Sequence, residues 1–178
     1  ILKSNLVNFL SKTEKELFLK PVKTWTQRDL INSVWRNESL GVMFWAVSLI
    51  KEISQYDTPF NPNISESIDL SNPKLKNKDE ISKMRGIAEL WHWRARTTKI
   101  IKERKIEAPK EMSYDEILKI TSTQAFKNGD IPRPINNDFP FLGKEYKKLS
   151  DDEYSIAMSI AMERHYAFNW LCGYSVGN

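Results

Sequence analysis

The chain has 178 residues, of which 40% are apolar and 28% charged, and a formal net charge of +4. That balance suits one globular domain with a sizeable core and excludes a disordered chain. No apolar run reaches the roughly 18 residues of a membrane span, and no membrane partner is expected. A single cysteine, Cys172, excludes an internal disulfide; set between Leu171 and Gly173, it reads as a buried thiol in a reducing cytoplasm. The chain begins at Ile1 and not at Met, so the lack of a visible targeting segment carries little weight.

In chain order the expected elements are helical. Residues 1–10 read as a short helix. Ser11 with Glu14 forms a capping box that opens a second one through Leu19, which Pro21 ends. Thr26 starts a long helix whose pattern fades near Ser54. Residues 55–78, with Pro59, Pro62 and Pro73, read as a connection with one helical turn near Ser65–Leu70. Asp79 opens a helix to about Glu103. Ser113 with Glu116 opens another that stops near Gly129. A Pro-rich loop follows from Gly129 to Leu149. Its Phe139, Phe141 and Tyr146 argue that it packs on the bundle and covers an edge of the core. Ser150 with Glu153 opens the last helix. With no internal repeat and no linker, the expectation is one all-α domain over residues 1–178, an irregular helical bundle with long Pro-rich loops.

The last helix carries an anomaly. Its stretch from Ile156 to Tyr174 is apolar on nearly every side, as in a buried helix, yet Glu163, Arg164 and His165 stand together in its middle. Ionisable groups there are costly unless paired. In the long helix from Thr26, apolar positions recur at Ile31, Val34, Trp35, Val42, Trp45 and Leu49, and Glu38 lies in that stripe. A buried Glu38 should meet an arginine of another helix, Arg164 or Arg94. In the helix from Asp79, Trp91 and Trp93 point to nearly opposite sides. Arg85, Glu89, His92 and Arg96 form a ladder on one face.

Glu38, His92, Arg94, Glu163, Arg164 and His165 therefore form the candidate polar cluster, lined by Trp35, Trp45, Trp91, Trp93 and Trp170. Three adjacent charged residues cover most of a helix circumference, so one neighbouring helix cannot pair all three. His165 is the expected remainder, facing a cavity, a loop or solvent, because a neutral imidazole is the cheapest to leave without an ionic partner. No metal and no cofactor are expected: the chain has only two histidines and lacks a metal-binding, nucleophile-elbow or phosphate-loop motif. The basic run Arg94, Arg96, Lys99, Lys102, Arg104 and Lys105 reads as a solvated helix end whose cations complement the dipole, not as a nucleic-acid surface.

The stretches SVWRNESLGVMFWAVSLI, IAELWHWRART and SIAMERHYAFNWLCGYS, in that order, resemble the signature blocks of a bacterial domain-of-unknown-function family, number forty-two seventy-two. LVNFLSKTEKELFL is similar to its upstream block. The resemblance places Trp35, Arg36, Glu38, Trp45, Trp91, His92, Trp93, Arg94, Glu163, Arg164, Asn169 and Trp170 at motif positions. It implies a soluble helical domain and carries over no reaction, cofactor or partner. It also implies a Trp-Asp and Thr-Asp-Thr tail that this chain does not show. Two functions compete ahead of a third, nucleic-acid binding through the run from Arg94 to Lys105 and exposed aromatics: a non-catalytic protein-interaction module of the cytoplasm with an unidentified protein partner, and an enzyme or small-ligand binder with a buried Glu/Arg/His site between three helices. A sealed, fully paired network favours the first; an open pocket with unpaired carboxylates favours the second.

Overall fold

The structure is a computed structural model that describes residues 12–103 and 112–174. The helix expected over residues 1–10, the Ser11 cap, and Arg104 and Lys105 lie outside the described residues. Among the described residues there are five α-helices: α1 (Lys12–Leu19), α2 (Gln27–Ala46), α3 (Lys78–Glu103), α4 (Tyr114–Lys127) and α5 (Asp151–Leu171). The only sheet among them is an antiparallel hairpin of β1 (Pro140–Phe141) and β2 (Lys144–Glu145). The fold is all-α.

Helix starts follow local chemistry. Thr26, Ser113 and Ser150 each cap their helix, with Asp29, Glu116 and Glu153 closing the box. Each box satisfies amides that the helix itself cannot pair, a contribution of about 1 kcal/mol. Asn77 does the same for α3 by accepting from the Glu80 amide at 2.8 Å.

One helix end departs from the expected boundary. α2 stops at Ala46, eight residues short of Ser54. Ser48 turns left-handed at φ 59°, and the amides of Leu49 and Ile50 fold back onto the Phe44 carbonyl. The freed carbonyls of Ala46 and Val47 accept from the amides of Lys76 and Lys74 in the returning connection. A distant segment therefore takes over the last turn. In that connection the expected turn near Ser65–Leu70 forms earlier, as a three-ten turn over Pro62–Glu66.

α5 is the common partner of the bundle. Both α2 and α3 pack along it, whereas α2 and α3 share no comparable face. Small side chains at Ala157, Ala161 and Ala167 on α5, and at Ala88 and Ala95 on α3, are wholly buried and leave room for close packing. Two further expectations change. Ile156, Met162 and Trp170 are exposed, so α5 is central without being buried all round. Ile31 and Val34 are also exposed; the buried stripe of α2 is confined to its second half, at Glu38, Gly41, Val42, Trp45 and Ala46.

The segment 129–149 does more than cover an edge. Ile131, Phe139, Phe141, Tyr146 and Leu149 are all buried members of the main core. Phe139 meets the edge of Trp91 with ring centroids 5.3 Å apart.

Candidate functional site

The Glu163–Arg164–His165 triplet fans out in three directions, as 100° steps on a helix require. Glu163 turns to α2. It accepts from the Ser39 hydroxyl at 3.3 Å and from Arg36 Nη1 at 3.3 Å. Arg164 turns to α2 and to the connection after it. His165 turns to α3.

Arg164 and Glu38 are 1% and 2% exposed, and Arg164 Nε donates to Glu38 Oε2 at 2.8 Å. The rest of the guanidinium is spent on backbone and side-chain oxygens. Nη1 reaches the carbonyls of Ser54 and Gln55; Nη2 reaches the Ser54 hydroxyl and the Thr58 carbonyl. Glu38 Oε1 accepts from the Phe60 amide at 2.7 Å. The pair thus staples residues 54–60 to two helices. The long fork of an arginine suits this, with five donors in one plane. Phe60 in turn lies so close to α2 that a side chain at Gly41 would meet its ring at 2.6 Å.

Arg94, the other arginine considered for Glu38, is occupied elsewhere. Its Nε and Nη2 donate to Asp138 Oδ1 and Oδ2 at 2.6 and 2.7 Å, and its Nη1 meets the Thr98 hydroxyl. Asp138 also accepts from the amides of Phe139 and Lys147. The two buried arginines share a design. Each is held by a carboxylate and lies over a tyrosine ring, Arg164 at 4.8 Å from the Tyr56 centroid and Arg94 at 4.6 Å from that of Tyr146. Neither tyrosine hydroxyl has a hydrogen-bond partner among the described residues. Burial pushes both phenols far above their ordinary titration range. Asp138 escaped the sequence reading because an acid after two asparagines looks like a surface turn. Its one signal is its place directly before Phe139 and Phe141.

His165 is not the unpaired remainder that was expected. Its Nδ1 stands 2.8 Å from Nδ1 of His92, and its Nε2 stands 3.1 Å from Asn169 Nδ2. Asn169 Oδ1 accepts from Arg85 Nε at 2.8 Å, and Arg85 Nη1 pairs with Glu89 at 3.1 Å. The ladder on α3 is therefore partly consumed in a chain to α5. Burial holds both imidazoles below the ordinary histidine range. The other ring and Arg96 add to this at His92, whereas at His165 Glu89 opposes it and Arg85 reinforces it.

The candidate cluster is thus four separate contacts: Glu38 with Arg164, Arg94 with Asp138, Glu163 with Arg36 and Ser39, and His92 with His165. Of the aromatics, Trp45 and Trp91 are buried, Trp35 and Trp93 are half-buried, and Trp170 is 49% exposed. Trp91 stacks on Tyr56 with centroids 4.9 Å apart, and Trp45 packs edge-on against Phe168 at 5.7 Å. Cys172, expected to be buried, is half-buried at the end of α5. Cavities indent the described surface, two of them beside these residues. One, of about 260 Å³, lies between α4 and the Asn136–Asp138 turn. The other, of about 160 Å³, is lined by Ser54, Tyr56, Met84, Trp91, Asp130 and Arg164 among others. Neither is lined by Glu163 or His165. Both fall below the roughly 300 Å³ at which small-molecule pockets begin.

Fold and side-chain geometry together define an all-α domain braced by buried ion pairs. Residues 1–113 match the family model described as a domain of unknown function, DUF4272, and the chain belongs to that family. No curated protein and no solved structure matches the chain. The match ends before α4, so Glu38, His92 and Arg94 lie within it and Arg164, His165 and Asp138 lie beyond it. No helix among the described residues is long and apolar enough to cross a membrane.

Proposed function

We propose that this chain is a non-catalytic protein-interaction domain. The supporting observation is the contrast between its interior and the first two described helices. The charged residues that could have formed a reactive site are spent on one another or on backbone. By contrast, Phe18, Leu19, Val22, Leu30, Ile31 and Val34 all stand exposed within a short span of sequence. Leu30, Ile31 and Val34 share one side of α2. Grouped exposed apolar side chains are unusual on a lone domain and mark sites of association. The occupant that suits them is a protein with a complementary apolar face.

The test pairs Ile31→Asp with Val34→Asp in one variant. Both side chains are exposed, so helicity and melting temperature should stay within error of the wild type. Quantitative cross-linking in the native host should recover a protein with the wild type and lose it with the variant. Equal recovery from both would count against this surface, and turnover of a small substrate by the purified protein would count against the whole reading.

A further inference from the structure

The contact between His92 and His165 has a direction that can be read from its neighbours. The guanidinium of Arg85 only donates, so the Asn169 atom it meets is the carbonyl oxygen. The amide nitrogen of Asn169 therefore faces His165 Nε2 and donates to it. With Nε2 accepting, neutral His165 carries its proton on Nδ1. That proton points at His92 Nδ1, 2.8 Å away, which must accept, leaving the His92 proton on Nε2. Glu89 and the ring of Tyr174, 4.5 Å from the guanidinium carbon, hold Arg85 at the head of this relay. Both tautomers are set from outside the rings.

We propose that His92 and His165 form a proton-operated latch between α3 and α5, closed when both rings are neutral and opened when His92 takes a proton. Each neutral imidazole has one lone pair, and in this arrangement both are in use. A proton on His92 Nδ1 would face the His165 N–H; a proton on His165 Nε2 would face the Asn169 N–H₂. The first event breaks the hydrogen bond between α3 and α5; the second disturbs a contact within α5 and leaves that bond in place. The charged groups nearby are Arg85, Glu89 and Arg96 on α3. On α5 the neighbouring Glu163 and Arg164 are turned to α2 and its connection. Two cations against one carboxylate disfavour a further positive charge. Burial acts in the same direction on both rings.

The sign follows from linkage. In the unfolded chain both histidines titrate near about 6.5. Their folded values are lower, so between the two the unfolded chain binds more protons. The latch contributes fully above about pH 6.5, and its contribution falls as pH drops towards the folded values. In that window the unfolding constant rises up to about tenfold per pH unit for each histidine.

Nitrogen-15 NMR of the histidine rings tests this on the whole chain. The expected wild-type result is His165 as the Nδ1–H tautomer, His92 as the Nε2–H tautomer, and both titrating below the ordinary histidine range. Asn169→Asp supplies the decisive comparison. A carboxylate at that position accepts from both Arg85 and His165. It should move the His165 proton to Nε2, reverse the bond to His92 and raise the titration midpoint by one unit or more. Two independent Nε2–H rings titrating at ordinary values, or an Asn169→Asp variant with unchanged tautomers and midpoint, would overturn the latch. Stoichiometric zinc uptake by the wild type at neutral pH would overturn it as well, since it would show both Nδ1 lone pairs free. His92→Gln with His165→Gln gives a separate check: the loss of stability between pH 6.5 and 5 should shrink in that variant, and an unchanged loss would assign it to other groups.

Discussion

Arg94 on α3 and Asp138 in the segment before β1 face each other through two hydrogen bonds of 2.6 and 2.7 Å, with both side chains almost wholly buried. They are 44 residues apart in sequence. Through Asp138 the pair also fixes the amides of Phe139 and Lys147, so it anchors the hairpin segment to the core helix beneath it. Asp138→Ala should strand the guanidinium and cost about 3–5 kcal/mol in chemical denaturation. Hydrogen exchange in the variant should show the amides of Phe139 and Lys147 losing protection before those of α3. A cost below about 1 kcal/mol would mean that Arg94 does not depend on this partner.

The tyrosines under the two arginines act through their rings. Tyr56 stacks on Trp91 and meets Arg164, Tyr146 meets Arg94, and neither hydroxyl is paired among the described residues. A buried, unsatisfied hydroxyl is a net cost, whereas the ring face attracts the cation. Tyr56→Phe and Tyr146→Phe should therefore leave stability unchanged or raise it by up to about 1 kcal/mol. Tyr56→Leu should lower it, because the stacking face is gone. Thermal unfolding of the three variants checks the ordering; a phenylalanine variant less stable than Tyr56→Leu would assign the role to the hydroxyl instead.

Gly41 sits inside α2, where alanine would ordinarily add stability of up to about 1 kcal/mol. Here a methyl group would meet Phe60 ring atoms at 2.6 and 2.8 Å. Phe60 is itself buried, and its amide is tied to Glu38. Gly41→Ala should thus destabilise the fold by about 1–3 kcal/mol, the range of an overpacked core. A Gly41→Ala variant that melts above the wild type would show that the ring moves aside freely.

The parts legible in the sequence were those with a local cause. Capping boxes at Ser113 and Ser150 placed two helix starts, because the amides they satisfy are three residues away. Glu38 could be placed in the core because its helical neighbours Val42 and Trp45 carry it there. What failed was decided across the fold. α2 ends at Ala46 because Lys74 and Lys76 reach its carbonyls from a distant segment, and no local pattern encodes that. Asp138 follows two asparagines, a turn-like pattern, and only the packing of distant segments brings Arg94 to it. His92 and His165 meet because α3 and α5 pack on each other, a relation that helical periodicity on either strand of sequence leaves open. Ile31 and Val34 have the right spacing for a core stripe yet stand exposed, since periodicity gives a face and not the element that covers it.

We infer that the buried charges brace the fold and do not form a reactive site. A double-mutant cycle on Glu38 and Arg164, followed by urea denaturation, tests it most directly. Glu38→Leu alone strands a buried cation and Arg164→Met alone strands a buried carboxylate, so each should cost about 3–5 kcal/mol. The double variant removes both charges. It should be clearly less destabilised than the sum of the singles, with a coupling of at least about 2 kcal/mol. Groups held in place for function at the expense of stability behave otherwise: their apolar replacement stabilises. A Glu38→Leu variant more stable than the wild type, or singles that add to within about 0.5 kcal/mol, would contradict the account.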